Sequence, residues 1–407
     1  MNAMRILYLQ TFPFWGSGSG TYARHLASEV GRRHKVAIVA PDTRPIERAK
    51  LYPVTLPFNV AFTGHPEWPD CKLYTDLSSE EIWTVYDTFL RASIKAVDEF
   101  RPDIVHVHHA FPTAWIAAFI KDTYNINYIV TIHGSELPSL EKDKRYYQRT
   151  YDSMYRAKRI VPNSGWTKEW FLRIFKGYFH EKCRVIPGGV NINKFVYSES
   201  GARAVDKELD LKGKPVVLFA GKLTKYKGVE FLLGAAKKIH GEVVILGDGP
   251  DKARLMEKAK KWGLTNVHWV GHLGAGVKKL VPYYSRADVF VAPSVWDEPL
   301  GLVILEAMAC QTPVVVTRKG GIPLAVKDGY NGFFVRPRNS AEIVEKVNKL
   351  LDDAALRYKM GQNARRVAEK RFSWDIISAR FERMYIKYKK RPLPLVSSEK
   401  ISPVSNS

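Results

Sequence analysis

The chain has 407 residues, enough for two domains with separate cores, and its 45% hydrophobic content fits a globular fold, not a disordered or fibrous one. Cys71, Cys183 and Cys310 lie too far apart for a disulfide framework or a metal-ligand spacing, so a reducing compartment is expected. The net charge of +22 calls for an anionic partner or a heavily solvated surface, but no RNP, zinc-finger or basic-zipper pattern accompanies it, so no nucleic acid is expected.

The apolar start Met4–Leu9 runs directly into Gln10, too short for a secretory leader, and no apolar run approaches the ~18–20 residues of a membrane span. The expected location is cytoplasmic. Part of the charge is local: from Lys142 to Arg184 twelve Lys/Arg face four Asp/Glu, and Lys387-Tyr388-Lys389-Lys390-Arg391 adds more. A peripheral contact with an anionic inner membrane face is the expectation this raises.

Arg5–Gln10 reads as a short apolar strand, followed by the loop Gly16-Ser17-Gly18-Ser19-Gly20 and a helix from about Tyr22 to Arg32. Glycines there let backbone approach a phosphate at a helix N-terminus. A nicotinamide fingerprint fails, since its third glycine would fall on Thr21 or Ala23. Val36–Ala40, Ile104–Val107, Tyr128–Ile132 and Arg159–Pro162 read as further strands, and Val185–Pro187 closes this half. The intervening Leu56–Leu77 carries Phe58, Phe62, His65 and Trp68, a pattern suited to sugar stacking or a lipid-facing entrance.

His106, His108 and His109 sit at the end of one strand. Alternation puts His106 and His108 on one face, where metal ligation is conceivable, and His109 at the carboxyl end, on the acceptor side of a cleft. Ile132-His133-Gly134-Ser135-Glu136 follows the next strand. The aromatic stretch Trp166–Glu181 reads as a helix, and its spacing favours packing on a sheet over lying on a membrane.

Gly188–Lys214 is polar and reads as linker plus loop. A second series follows, with strands at Val216–Ala220, Val243–Gly247, Val267–Val270, Val289–Ala292 and Val314–Thr317, and helices near Gly228–Ile239, Asp251–Trp262 and Gly301–Ala309. Short apolar strands alternating with helices, twice over, predict an α/β protein of two Rossmann-like, doubly wound domains facing a central cleft. Ser373 caps a last helix to about Tyr388, stopped by Pro392 and Pro394.

The densest signal runs from Ala292 to Ala309. Glu298 and Glu306 are separated by seven residues, with Pro299, Leu300 and Gly301 turning the chain into a helix. The free amides of Gly301 and Leu302 suit a diphosphate, Glu298 suits sugar hydroxyls, and Glu306, two turns deeper, suits ribose.

This segment resembles the Glu-x7-Glu motif of the retaining nucleotide-sugar glycosyltransferases of the GT-B fold, glycosyltransferase family four, with Leu300 where that family usually has Phe. Gly221-Lys222-Leu223-Thr224-Lys225-Tyr226-Lys227-Gly228 resembles its Gly-Arg-Leu…Lys-Gly segment, with Lys222 in place of Arg. Leu246-Gly247-Asp248-Gly249-Pro250 is similar to its Gly-x-Gly-Pro loop, and Val185–Asn191 to its interdomain Ile-Pro-Asn-Gly-Val-Asp.

The resemblance implies a hexosyltransferase: transfer from a nucleotide-diphosphate sugar to an acceptor hydroxyl with retention, and no metal or other cofactor. It implies His133, Lys227 and Glu298 as catalytic residues. Gly18, Lys222, Lys227, Gly247, Gly249, Glu298, Leu300, Gly301, Leu302 and Glu306 would bind the donor, with His109 and Glu136 on the acceptor side. The acceptor, a saccharide, lipid-linked or small molecule, is left open, as are the donor base and sugar. The implied division is an acceptor-binding domain over 1–187, a donor-binding domain over 188–372, a helix over 373–390 crossing back to the first domain, and a disordered tail over 391–407. The alternatives are a GT-B sugar-nucleotide epimerase, a phosphorylase, or a non-catalytic nucleotide-sugar or nucleic-acid binder; the Glu298…Glu306 segment speaks against the first two.

Overall fold

The computed structural model describes residues 3–65, 67–273 and 277–390, so the expectation for the tail 391–407 lies outside the described residues. Each half is built on a six-stranded parallel sheet. The first uses β1 (Arg5–Leu9), β2 (Lys35–Ala40), β3 (Ala49–Pro53), β6 (Ile104–His108), β7 (Tyr128–Ile132) and β8 (Arg159–Pro162), in the order β3-β2-β1-β6-β7-β8; the short pair β4 (Val60–Ala61) and β5 (Lys72–Leu73) stands apart. The second uses β9 (Val216–Ala220), β10 (Glu242–Leu246), β11 (Val267–Gly271), β12 (Val289–Ala292), β13 (Val314–Thr317) and β14 (Gly332–Val335), in the order β11-β10-β9-β12-β13-β14.

Both sheets are apolar on both faces because helices cover both. In β1, Leu7 and Leu9 enter one core while Ile6 and Tyr8 enter the other. In β9, Leu218 and Ala220 divide in the same way from Val217 and Phe219. The reversal of strand order beside β1 and beside β9 opens a crevice at the carboxyl ends of each sheet.

Several elements differ from the sequence expectation. The first helix is Gly18–Val30, beginning inside the glycine loop, because the Ser17 side chain caps it by accepting from the Gly20 amide. The stretch Gly188–Lys214 contains a helix, Glu199–Glu208, capped by Ser198; only Ala202 and Val205 are buried on it, too few apolar positions to show a period. The edge strands β3 and β14 escaped notice for a related reason: Lys50 and Pro53 break the apolar run of one, and the other has only four residues. Val185–Pro187 is not a strand and adds only the bond from the Ile186 amide to the Pro162 carbonyl, 3.1 Å.

The aromatic helix is Gly165–Ile174 and ends where Lys176 and Gly177 take positive φ. Trp170, Phe171, Phe175 and Phe179 are buried in the core, so this stretch packs on the sheet. Phe62 is likewise a core residue, 4.6 Å from the Tyr74 ring. No helix among the described residues is long and apolar enough to cross a membrane.

The chain passes between the halves twice, side by side: the Val190 amide donates to the Phe372 carbonyl at 2.8 Å and the Trp374 amide to the Val190 carbonyl at 3.3 Å. Ser373 then caps the helix Trp374–Tyr388, accepting from the Ile376 amide. This helix buries Trp374, Ile377, Phe381 and Tyr385 against Tyr8, Tyr22 and Leu26 of the first half. The Tyr385 hydroxyl lies 2.8 Å from that of Tyr8 and 2.7 Å from His106 Nδ1, wholly inside the core. Tyr385→Phe leaves that imidazole nitrogen and the Tyr8 hydroxyl short of a partner, and should lower the unfolding free energy by about 2 kcal/mol in denaturant titration, with little change in m-value.

Candidate functional site

Parallel strands deliver their following loops to one edge, and the residues singled out in the sequence gather there. From the first half come the helix start at Gly18, the His106–His109 run that closes β6 and the His133–Glu136 loop after β7. From the second half come the Lys222–Lys227 loop after β9, the Gly247–Gly249 loop after β10 and the Glu298–Leu302 turn after β12. The halves meet there: a β-carbon on Gly134 would stand 3.6 Å from Pro299 Cγ, and one on Gly188 only 2.9 Å from Leu302 Cδ2 and 3.0 Å from the Tyr22 ring.

On the second half, Lys227 Nζ donates to Glu298 Oε1 at 2.5 Å, and the Ser294 hydroxyl donates to the same oxygen at 2.9 Å. One carboxylate thus fixes the lysine while its second oxygen stays available, and an ammonium with three donors keeps two. The helix Leu302–Ala309 starts three residues past Pro299, with Gly301 at φ +76 as its cap, so the amides of Leu302 and Val303 have no intrahelical acceptor. Leu300, assigned to donor contact in the sequence, is 4% exposed and its side chain belongs to the core. The turn needs an apolar anchor beneath it, which explains why Leu serves in place of Phe.

Glu306 lies one helical level below. Its Oε2 accepts from the Tyr284 hydroxyl at 2.8 Å. Burial pushes its carboxyl up to about 7, with the Tyr284 bond pulling the other way. Lys222 is exposed and faces the first half, where its charge helps to hold His65 neutral, secondary to burial. Gly247 has φ +141, and a β-carbon there would lie 1.9 Å from the Gly221 carbonyl oxygen. With the Leu223 amide donating to the Asp248 carbonyl at 2.8 Å, the glycine loop is what supports the Lys222 loop.

On the first half, His133 is buried beneath the cleft, and burial pulls its imidazole down to about 3, so it is neutral at physiological pH. Its Nε2 lies 2.9 Å from His108 Nδ1, which leaves Nδ1 for other contacts. His106 is engaged at both nitrogens, by Tyr385 and by the Thr131 hydroxyl at 2.8 Å. The histidines are joined to one another and to hydroxyls, and among the described residues no three His, Cys, Asp or Glu side chains converge as metal ligands. His109, assigned to the acceptor side in the sequence, is at φ +77 and fully buried against Phe12 and Phe62, with neither ring nitrogen paired among the described residues. Gly18 stands exposed at the helix start, and a β-carbon added there would meet nothing within 4 Å.

Glu136, assigned to the acceptor side in the sequence, is fully buried, and its two oxygens accept from the amides of His133 at 3.0 Å and Gly134 at 2.9 Å. It shapes the histidine loop and cannot contact an acceptor. Asn163 supports the same loop, donating to the His133 carbonyl at 3.0 Å. Tyr22 closes it from the side, its ring 5.1 Å from that of His133. The sequence reading missed Ser294, Tyr284, Asn163 and Tyr22; the last three work through contacts between segments remote in sequence, while Ser294 lies four residues from its partner Glu298. A polar residue at a strand's carboxyl end, as Asn163 and Ser294 are, was the available signal. Glu136→Gln replaces one acceptor oxygen with an N–H facing a backbone N–H. At about pH 8 it should cost about 2 kcal/mol of stability in chemical denaturation.

Residues 203–367 match the family described as Glycosyl transferases group 1, and residues 16–194 match Glycosyltransferase Family 4. An uncharacterized glycosyltransferase of Methanocaldococcus jannaschii is 31% identical over 309 residues, 72% of this chain and 77% of the other. The alpha-maltose-1-phosphate synthase of Mycobacterium tuberculosis is 31% identical over 300 residues, 68% and 76%. Among solved structures, sucrose-phosphate synthase of Thermosynechococcus elongatus superposes with TM-score 0.75 at 22% identity, covering 94% of this chain and 98% of that one. HepE of Anabaena in complex with UDP-glucose superposes with TM-score 0.74 at 19% identity, covering 94% and 100%.

Proposed function

The chain belongs to the group 1 glycosyltransferases and has the GT-B fold, and from that premise we propose that it moves a hexose from a nucleotide-diphosphate sugar to an acceptor hydroxyl, with retention and without a metal. The observation that carries this reading is the Lys227–Glu298 pair at a helix N-terminus, pressed against the His133–Gly134 loop of the other half through Pro299. A cation, a row of free amides and a neutral histidine then surround one point.

In the reaction, the bond from the anomeric carbon to the phosphate oxygen breaks and its electron pair goes to the diphosphate. Lys227, Lys222, the amides at Gly301–Leu302 and the Gly18 amide take up that charge, the work a divalent cation does elsewhere. The acceptor oxygen bonds to the anomeric carbon on the face the phosphate leaves, and its proton passes to the departing phosphate oxygen. Neutral His133 offers Nδ1 to the sugar without competing for the phosphate as a cation would. The free oxygen of Glu298 takes sugar hydroxyls and Glu306 takes the ribose. The complexes of HepE with UDP and with UDP-glucose support this donor class, and the likeness to the alpha-maltose-1-phosphate synthases supports a small or saccharide acceptor. The acceptor lies over the first half, above Phe12, whose ring packs against those of His65 and His109.

A thermal-shift panel of UDP, GDP, ADP and their sugar conjugates tests the reading first. A nucleotide at about 100 times its Kd adds about 2.7 kcal/mol, and one family of nucleotides should stand out; no shift with any overturns the reading. Glu306→Ala should weaken donor binding, and His133→Ala should cut kcat with little change in donor affinity. Because Glu306 ionises near pH 7, the advantage of the wild type over Glu306→Gln in nucleotide Kd should grow from about pH 6 to about pH 8. The stability owed to its protonated form runs the other way: it is full below the unfolded value of 4.5 and lost as pH rises through about 7.

A further inference from the structure

The two basic stretches of the sequence, Lys142–Arg184 and Lys387–Lys390, come together in space. Arg159 and Arg184 from the first stretch, with Arg380, Arg383 and Lys387 from the C-terminal helix, line one cavity of about 230 Å³, floored by Met384 and Tyr388. Among the described residues no carboxylate lines it and none of these five cations forms an ion pair, whereas Arg33, Arg44, Arg254, Arg286 and Arg357 elsewhere on the protein do. Glu382, the acidic residue of this helix turn, points away and pairs with Arg33 at 2.8 Å.

The cavity is remote from the cleft. Arg159 opens β8 at its amino end. The helix that carries Arg380–Lys387 finishes at the amino ends of β6 and β7, where the Lys390 amide donates to the Asp103 carbonyl at 2.8 Å and Asn127 Nδ2 to the Tyr388 carbonyl at 2.8 Å. The donor-side residues lie at the opposite, carboxyl ends. Arg380 is partly desolvated, and Arg383, Arg371 and Arg184 add like-charge repulsion, so its guanidinium is held below its ordinary value. Concentrating cations on a rigid helix and an adjacent strand edge without counter-charge is unfavourable unless an anion of high charge density takes the space.

We propose that this cavity binds a phosphate-bearing group, distinct from the nucleotide-sugar site. Four forked guanidinium groups fit the several oxygens of a phosphate or diphosphate better than a single carboxylate. The group is carried either by a soluble phosphate ester or by the headgroup of an anionic lipid.

The test uses the full chain, an Arg383→Glu/Lys387→Glu double variant and the milder Arg383→Gln/Lys387→Gln. Neither residue hydrogen-bonds within the described structure, and both substitutions relieve repulsion, so Tm should not fall. Inorganic pyrophosphate should raise the Tm of the wild type and of Lys227→Ala, and should lose that effect in both double variants. Vesicles of phosphatidylglycerol in phosphatidylcholine should sediment the wild type at low salt, with apparent affinity at least about tenfold lower for the charge-reversed variant. Pyrophosphate protection alone assigns a soluble ester, and vesicle binding alone assigns a lipid headgroup. Wild-type behaviour of both double variants toward both probes overturns the site. The donor-nucleotide shift should persist unchanged in the double variants, which keeps this outcome separate from that of the glycosyltransfer reading.

Discussion

The chemistry of this molecule depends on two adjacent crossings of the chain, at Gly188–Val190 and Phe372–Trp374, tied by a pair of backbone hydrogen bonds. A β-carbon on Gly189 would stand 2.9 Å from both the Phe372 carbonyl and the Trp374 ring, so this junction tolerates no bulk. Each sheet alone presents loops at its carboxyl edge. Only this junction turns the two edges toward one another, bringing a neutral histidine loop against a lysine–glutamate pair. Tyr22, packed against His133, Trp374 and the Gly188 turn, senses all three parts at once. Motion at the junction would therefore change the distance between the two sides of the cleft before it changed either sheet.

The C-terminal helix couples that junction to the inside of the first half. Its Tyr385 reaches His106, which holds Thr131 one strand over, and His108 on the same strand meets His133. Burial keeps these imidazoles neutral, which suits a relay of hydrogen bonds and excludes a cluster of positive charge under the cleft. The opposite arrangement holds on the other face of the same helix turns, where Arg380, Arg383 and Lys387 flank Tyr385 and form no ion pair among the described residues. One element thus carries a neutral network on its buried face and an uncompensated charge on the other, and the contrast follows from solvent: the first is sealed from water and the second is open to it.

Much of this was legible in the amino-acid order. Apolar strands of four to six residues between amphipathic stretches require parallel sheets covered on both faces, and the Glu298…Glu306 segment names a strand, a turn and a helix start in a row. The helix Glu199–Glu208 was not legible, because two buried residues make no period. The directions of Leu300 and Glu136 were not legible because sequence places a residue in a loop without saying which way it points: one turned into the core, the other onto backbone amides.

By itself, then, the sequence determined the fold class, the positions of the loops at the strand ends and the residue types able to handle a diphosphate, since these follow from local periodicity and turn chemistry. Tertiary structure alone decided that Lys227 is held by Glu298, that His133 is neutral and leans on His108, that Tyr284 and Asn163 serve the site, and that two basic stretches more than two hundred residues apart enclose one cavity. Each of those facts is a distance or a degree of burial between segments remote along the chain, and such quantities exist only once the two sheets and the returning helix have packed.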